Sequence, residues 1–471
     1  MNPKKILQFS IGPLGASALS LLTLPFIAWF FTVEDVGRLT MLHVILGLSS
    51  SIIGLQMHQS YVREYHEQND KKLLFKVALI PAMVIFSLIV LISLILPYSI
   101  SEILFGIDSD TLTIYLFIAL FSSVIINLLA HVLRMQERGL AFSLTQIAPK
   151  LILIVLIGCI YIFNFPNEFV VLMAMNTIAL LTSLFVLLWL TRQTWLVALG
   201  KPINFELLQN MLRFSLPLVA GGLAYWGLTT MDRFFLRAYS GFEELGVYAL
   251  SVSLAAGVSV VSALFSNLWH PIVYKWIKDG IEINKVRMVT ESMLLLVAII
   301  WTFVGLNSWV LLNFLPEDYI SIEYLIVACV SMPLFYMLSE TTVVGIGITR
   351  RSSFSMLASV VSFLINAILN YLLIPDYGAS GAALASMIAF FVFFLIRTEA
   401  SSFLWESIPR IKIYFVVLMY ISATIVMVFT ENKIGGFSYL WVFILFITLL
   451  LFWVRVEELY QILNNYIARK S

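Results

Sequence analysis

The chain has 471 residues, of which 61% are hydrophobic and 12% charged, with a formal net charge of +1. Soluble domains carry about twice that share of charge, so a soluble fold, which would have to cover all this apolar surface, is excluded. A balance this close to neutral gives no basis for nucleic acid as a partner, and the electrostatics that matter must be local.

Met1-Asn-Pro-Lys-Lys5 leads into a charge-free run from Ile6 to Val33, longer than the apolar core of a signal peptide, so an uncleaved first helix is expected. A bilayer core takes about 20 apolar residues per helix, because backbone groups left unpaired in hydrocarbon are too costly. Fourteen such segments occur, at 8–31, 39–61, 76–97, 112–133, 143–163, 169–190, 214–236, 246–269, 288–312, 323–346, 354–374, 380–398, 412–430 and 438–454. The fold class this predicts is an all-α polytopic membrane protein with about 14 transmembrane helices. With both termini inside, the inner segments hold 23 of the 28 Lys and Arg residues. Arg38, Arg233, Arg237 and Lys433 fall outside, and Lys150 falls within a helix. That bias predicts cytoplasmic termini.

The chain also repeats itself. Phe9-Ser-Ile-Gly-Pro13 opens the first segment and Phe214-Ser-Leu-Pro217 the seventh. Glu34-Asp-Val-Gly37 closes the first hairpin and Glu243-Glu-Leu-Gly246 the corresponding later one, while Arg138, Phe142 and Ser143 match Arg350, Phe354 and Ser355 at a constant spacing of 212. Six helices separate the equivalents, and an even number makes the halves parallel. The expected organisation is an N-terminal six-helix lobe over 1–200, a second over 204–400, a cavity between them, and two accessory helices with a cytoplasmic tail over 401–471. That is a transporter plan.

Catalytic machinery is sparse. Cys159 and Cys329 lie in apolar runs with no metal-ligand spacing, so no metal or bound cofactor is expected. No GxxxxGK[ST] occurs, and the longest extramembrane stretch, 191–213, is too short for a nucleotide-binding domain. Glu34-Asp35 resembles the carboxylates of a membrane glycosyltransferase or polymerase, but their recurrence as Glu243-Glu244 points to a hairpin-end feature. A transporter, not an enzyme, is expected.

Ionisable groups within helices are the informative residues, since each costs roughly 2.5–3.5 kcal/mol at a helix centre on insertion scales. Lys150 follows Gln146 by one turn beside Pro149, a locally irregular polar site or a snorkelling lysine. Asn127, His131 and Arg134 form a polar stripe, as do Gln56, His58, Gln59 and Arg63. Arg63, His131, Arg134 and Lys150 thus share a depth, either lining a cationic cavity or serving as end charges and a packed neutral histidine. Asp232-Arg233 is a gate or an interfacial ion pair. Glu340, beside Thr341 and Thr342, is a lone carboxylate able to carry a proton, or an anchor paired with Arg350 or Arg351.

Asn366-Ala-Ile-Leu-Asn370-Tyr-Leu-Leu-Ile-Pro375-Asp-Tyr-Gly378-Ala-Ser-Gly381-Ala-Ala-Leu-Ala-Ser386 resembles a signature of the polysaccharide-transporter branch of the multidrug, oligosaccharidyl-lipid and polysaccharide exporter superfamily. Its Pro375–Gly378 portion reads as a tight external turn, and Gly381 to Ser386 as a small-residue packing face. Asp232-Arg233-Phe-Phe-Leu, Ser240-Gly-Phe-Glu-Glu-Leu-Gly246-Val-Tyr248 and Trp269-His-Pro271 are similar to further family patterns. The resemblance covers about residues 8–400. It implies a flippase of the bacterial inner membrane that moves an oligosaccharide on undecaprenyl diphosphate to the outer leaflet by alternating access. The drive would be a proton or sodium gradient. Membrane lipids and polysaccharide polymerase machinery would be its partners, and the product would feed lipopolysaccharide O-antigen, capsule or another exopolysaccharide. Arg63 and Lys150 would suit a diphosphate-accepting cavity, with His131, Arg134 and Gln146 beside them. Asp232, Arg233 and Glu340 would serve gating or ion coupling. Fourteen helices rather than twelve is a departure shared with lipid II flippases, which keeps that function as an alternative; small-cation or drug export within the same superfamily is another, though its pocket should favour acidic and aromatic residues over several cations.

Overall fold

The computed structural model describes residues 3–95, 97–163, 166–279, 283–431 and 437–468, so Lys433 lies outside the described residues. These form helices and no strand, in two compact units, Met1–Arg237 and Ala238–Ser471.

The first unit contains α1 (Pro3–Ala28), α2 (Val33–Ile52), α3 (Met57–Glu64), α4 (Lys71–Ile95), α5 (Ile100–Phe105), α6 (Asp110–Met135), α7 (Gly139–Phe163), α8 (Phe169–Leu190), α9 (Arg192–Leu199) and most of α10 (Phe205–Tyr239). Polar caps set several starts. Thr32 Oγ1 accepts from the Asp35 N–H at 3.2 Å, and Asp70 Oδ1 accepts from the N–H groups of Lys72 and Leu73 at 3.1 and 3.0 Å. Within the expected segment 39–61, α2 and α3 meet at a 48° bend across Leu55 and Gln56, both with positive φ. Below the bend, Met57, Tyr61, Phe75, Leu129, Val132 and Met211 form a buried core.

α1 lies against α7 through small residues. A methyl added at Gly12 would come within 2.7 Å of Ser143 Cα, and one at Gly15 within 2.9 Å of Ile147 Cδ1. The close approach lets Ser143 Oγ donate to Gln8 O at 2.6 Å.

The second unit follows with α11 (Gly241–Lys278), α12 (Ile283–Asn307), 3-10 turns at Ser308–Phe314 and Glu317–Tyr319, α13 (Ile322–Cys329), α14 (Ser331–Thr342), α15 (Val344–Ile348), α16 (Ser353–Leu404), α17 (Ile411–Phe429), α18 (Phe437–Leu451) and α19 (Trp453–Ala468). α16 holds two spans, broken at Gly378, where φ 51° and ψ −128° leave the helical region. A methyl on Gly381 would lie 2.5 Å from Leu373 O, so the halves meet closely after the turn. The signature asparagines join them. Asn366 Nδ2 donates to Ser386 Oγ at 3.2 Å and Asn370 Nδ2 donates to Asn366 Oδ1 at 2.9 Å, all fully buried.

The last two spans are locked onto α12. Trp301 stacks on Tyr420 of α17 at 5.4 Å and donates from Nε1 to Val327 O at 3.1 Å, while the Tyr420 hydroxyl lies 2.8 Å from Thr302 Oγ1. Gly305 leaves room for Trp441 of α18, whose ring a methyl there would approach to 2.5 Å.

Ten helices among the described residues are long and apolar enough to cross a membrane, or twelve if each of two bent pairs counts as one span. The two halves of α16 and the more polar α10, which carries Arg213, Asp232, Arg233 and Arg237, account for the other expected segments. The chain is a multi-pass membrane protein.

The repeat also has a structural counterpart. α6 ends with Glu137 at φ 57° and α15 with Arg350 at φ 55°. In each, the following N–H reaches back five residues, Arg138 N to Leu133 O at 3.0 Å and Arg351 N to Ile346 O at 3.2 Å. These are the same Schellman cap, shifted by one residue from the spacing of the sequence matches.

Candidate functional site

In the first unit the predicted cations acquire separate partners. Lys150 reaches α1, its ammonium donating to Ala16 O at 2.8 Å and to Ser20 Oγ. α7 continues as helix through Pro149, so the expected local irregularity is not seen, and Gln146 is half-buried one turn earlier. His131 Nδ1 lies 2.9 Å from Asn127 O, and its ring faces His58 at 4.5 Å between centroids. Arg63 is exposed, with its guanidinium 4.3 Å from the centre of the Phe214 ring. Arg134 is exposed in the last turn of α6. No hydrogen bond among the described residues joins Arg63, His131 and Lys150 to one another.

What the fold brings together instead is centred on a residue the sequence reading passed over. His43, midway along α2, is exposed although Met41, Leu42 and Val44 around it are buried. Its Nε2 lies 3.3 Å from Asn176 Oδ1 of α8. Gly47, one turn on, is also exposed, and a methyl added there would lie 3.7 Å from Trp226 Nε1. Asp232 is buried beside Arg233, accepting from the Arg233 N–H at 2.9 Å and lying 3.8 Å from its guanidinium. Arg233 Nη1 also donates to Thr229 O at 2.9 Å. The first unit therefore holds a polar contact in mid-span, His43 of α2 against Asn176 of α8. A histidine in an apolar run was the available signal.

In the second unit, Glu340 is not a lone carboxylate, and its partner is neither Arg350 nor Arg351. Arg397 of α16 donates from Nη1 to Glu340 Oε1 at 2.9 Å and to Ser339 Oγ at 2.5 Å, and its guanidinium lies 4.9 Å from the Phe393 ring. Both charges are at least nine-tenths buried, and Thr342 and Thr398 meet beside them at 2.7 Å. Arg397 passes in the sequence for an end-of-helix charge, because only the packing of α14 on α16 shows where it points.

The hairpin acids have structural duties. Arg38 donates to Asp35 at 2.8 Å, to Glu34 at 2.7 Å and to Phe105 O at 3.1 Å. Glu244 Oε2 accepts from the Ala379 N–H at 2.7 Å, capping the helix that restarts after Gly378. Among the described residues no group of three or more His, Cys, Asp or Glu side chains is arranged to hold a metal.

Comparison with known proteins bears on this arrangement. The family described as polysaccharide biosynthesis protein matches residues 4–277. An uncharacterised membrane protein of Methanocaldococcus jannaschii is 24% identical over 202 residues, 42% of this chain and 46% of that protein, so the match spans under half of the relative. Among solved structures, the lipid II flippase MurJ in an inward closed conformation is similar with a TM-score of 0.71 and 13% identity, over 97% of this chain and 99% of that one. A multidrug resistance MATE family transporter of the MOP superfamily, facing inward, is similar with a TM-score of 0.57 and 16% identity, over 85% and 98% of the two chains. At such identities the fold is what is shared.

Proposed function

This chain belongs to the polysaccharide biosynthesis protein family, and from that membership we propose that it is a flippase for an oligosaccharide carried on undecaprenyl diphosphate. It moves this substrate from the inner to the outer leaflet of a bacterial cytoplasmic membrane by alternating access, with both termini inside. The observation that supports the reading is Lys150, a cation within a membrane-spanning helix whose ammonium reaches across to Ala16 and Ser20 of α1. A diphosphate is recognised by charge-assisted donors held away from bulk water. An ammonium has three donors, and Lys150 uses two on Ala16 and Ser20, leaving the third for an acceptor. Arg63, exposed on the Phe214 ring, supplies a second cation of fixed orientation.

Flipping of glycan-lipid in proteoliposomes tests this. Lys150→Ala combined with Arg63→Ala should cut the rate at least about tenfold, a loss of roughly 1.4 kcal/mol in substrate interaction, while insertion and abundance stay normal. A double variant that is normally expressed and flips at the wild-type rate overturns the assignment.

Lipid II flipping is the second reading, favoured by a fold match that takes in α17 and α18. The two readings differ in the glycan, so mass spectrometry of lipid accumulated in a deletion strain separates them.

A further inference from the structure

The second unit holds a cavity of about 520 Å³ that the proposed diphosphate contacts do not use. It lies at the turn where α16 breaks, on the side that the distribution of Lys and Arg assigns to the exterior, and is lined by Tyr324, Tyr377, Ser321, Ser380, Asp376 and Glu431 among others. We propose that this cavity is a saccharide site that takes neutral or amino-bearing sugar residues at the outer surface. The identity of its natural ligand rests on the flippase reading.

The lining has the chemistry of a polyol receptor. Serine and tyrosine hydroxyls both donate and accept, and ionised carboxylates accept only, so a ring of sugar hydroxyls finds partners of both kinds. Tyr377 is held edge-on against Phe429 at 5.0 Å, offering a fixed aromatic face to the C–H side of a pyranose. Ser321 and Ser380 line the cavity beside Tyr324, so three hydroxyls face one space. Glu244 pins the backbone of the turn through Ala379, so the wall carrying Asp376 and Tyr377 is shaped in advance. The volume falls within the range of small-molecule sites.

Charge selects among sugars. The described lining includes Glu244, Asp376 and Glu431, and carboxylates favour an ammonium over another acid. Glu244 Oε2 already accepts from the Ala379 N–H, so Asp376 is the carboxylate assigned to a sugar hydroxyl or ammonium.

The test is saturation-transfer NMR on the full-length protein in nanodiscs with three probes: chitobiose, glucosamine and glucuronate. Transfer to chitobiose and glucosamine is expected, with glucuronate at least about tenfold weaker, and Tyr377→Ala or Asp376→Asn should weaken binding about fivefold or more. Size-exclusion profiles and thermal unfolding of both variants establish that they are folded. Absence of transfer to every probe at 50 mM overturns the proposal, as does binding unaffected by two folded variants. Displacement of bound sugar by tetramethylammonium, with tighter binding of that ion, also overturns it in favour of a cation site. Wild-type flipping is measured in parallel: flipping without sugar binding removes this site and leaves the flippase reading, and pocket-dependent binding without flipping supports the site and removes that reading.

Discussion

Glu340 and Arg397 are buried where neither charge has water to turn to, so each depends on the other. Removing one partner of such a pair typically costs about 3–5 kcal/mol, whereas removing both charges is far milder. Thermal unfolding in nanodiscs should therefore fall sharply for Glu340→Ala and for Arg397→Ala, and recover in Glu340→Gln combined with Arg397→Gln. Because the pair clasps α14 to α16, the double variant should also retain any response of flipping to an imposed pH gradient. Loss of a wild-type response in a folded double variant would restore the proton-carrier role for Glu340. Outside the membrane spans, Lys201 at 2.7 Å and the Leu73 N–H hold the Asp70 carboxyl below the usual carboxylate range. A depressed pKa in the folded state contributes stability at neutral pH and loses it as the pH falls through that lowered value. The pair is more than a third exposed, so the contribution is small. Lys201→Ala should lower stability slightly at neutral pH, and the deficit should shrink as the pH falls below about 4.

Helix ends show why some local structure was legible and some was not. Pro375-Asp-Tyr-Gly378 announces a turn, and Gly378 indeed takes a backbone conformation that side chains disfavour. Gly378→Ala should cost about 1–3 kcal/mol from the backbone alone, and its methyl would also meet Glu244 Oε2 at 2.5 Å. Glu244→Ala in the same chain should relieve the second effect and not the first, which a double-mutant cycle of unfolding temperatures would read. The Schellman caps at Glu137 and Arg350 carry no such signal, since glycine normally marks that position. Left-handed geometry costs a side-chain-bearing residue roughly 1–2 kcal/mol. Arg350→Gly and Glu137→Gly should each therefore stabilise by about 1 kcal/mol, and a drop in unfolding temperature for both would refute these cap assignments.

Orientation in the bilayer is tested by labelling intact cells. A cysteine placed at Lys201 should resist a membrane-impermeant maleimide and one at Asp376 should react, and the reverse pattern would invert the topology and move the saccharide site to the cytoplasm. The spans themselves were readable from composition, because hydrocarbon obliges each crossing segment to be long, apolar and internally hydrogen-bonded, a condition written locally along the chain. The family resemblance was readable for the same kind of reason: the turn and small-residue face of its signature occupy one continuous stretch. The polar architecture was not readable in this way. Lys150 meets Ala16 across 134 residues and Arg397 meets Glu340 across 57, and which face of a uniformly apolar helix turns inward leaves little trace in its hydropathy. The residues therefore announced themselves as ionisable and misplaced, while tertiary packing alone assigned Lys150 to α1, made Glu340 half of an ion pair, and set His43 against Asn176 in the middle of a span.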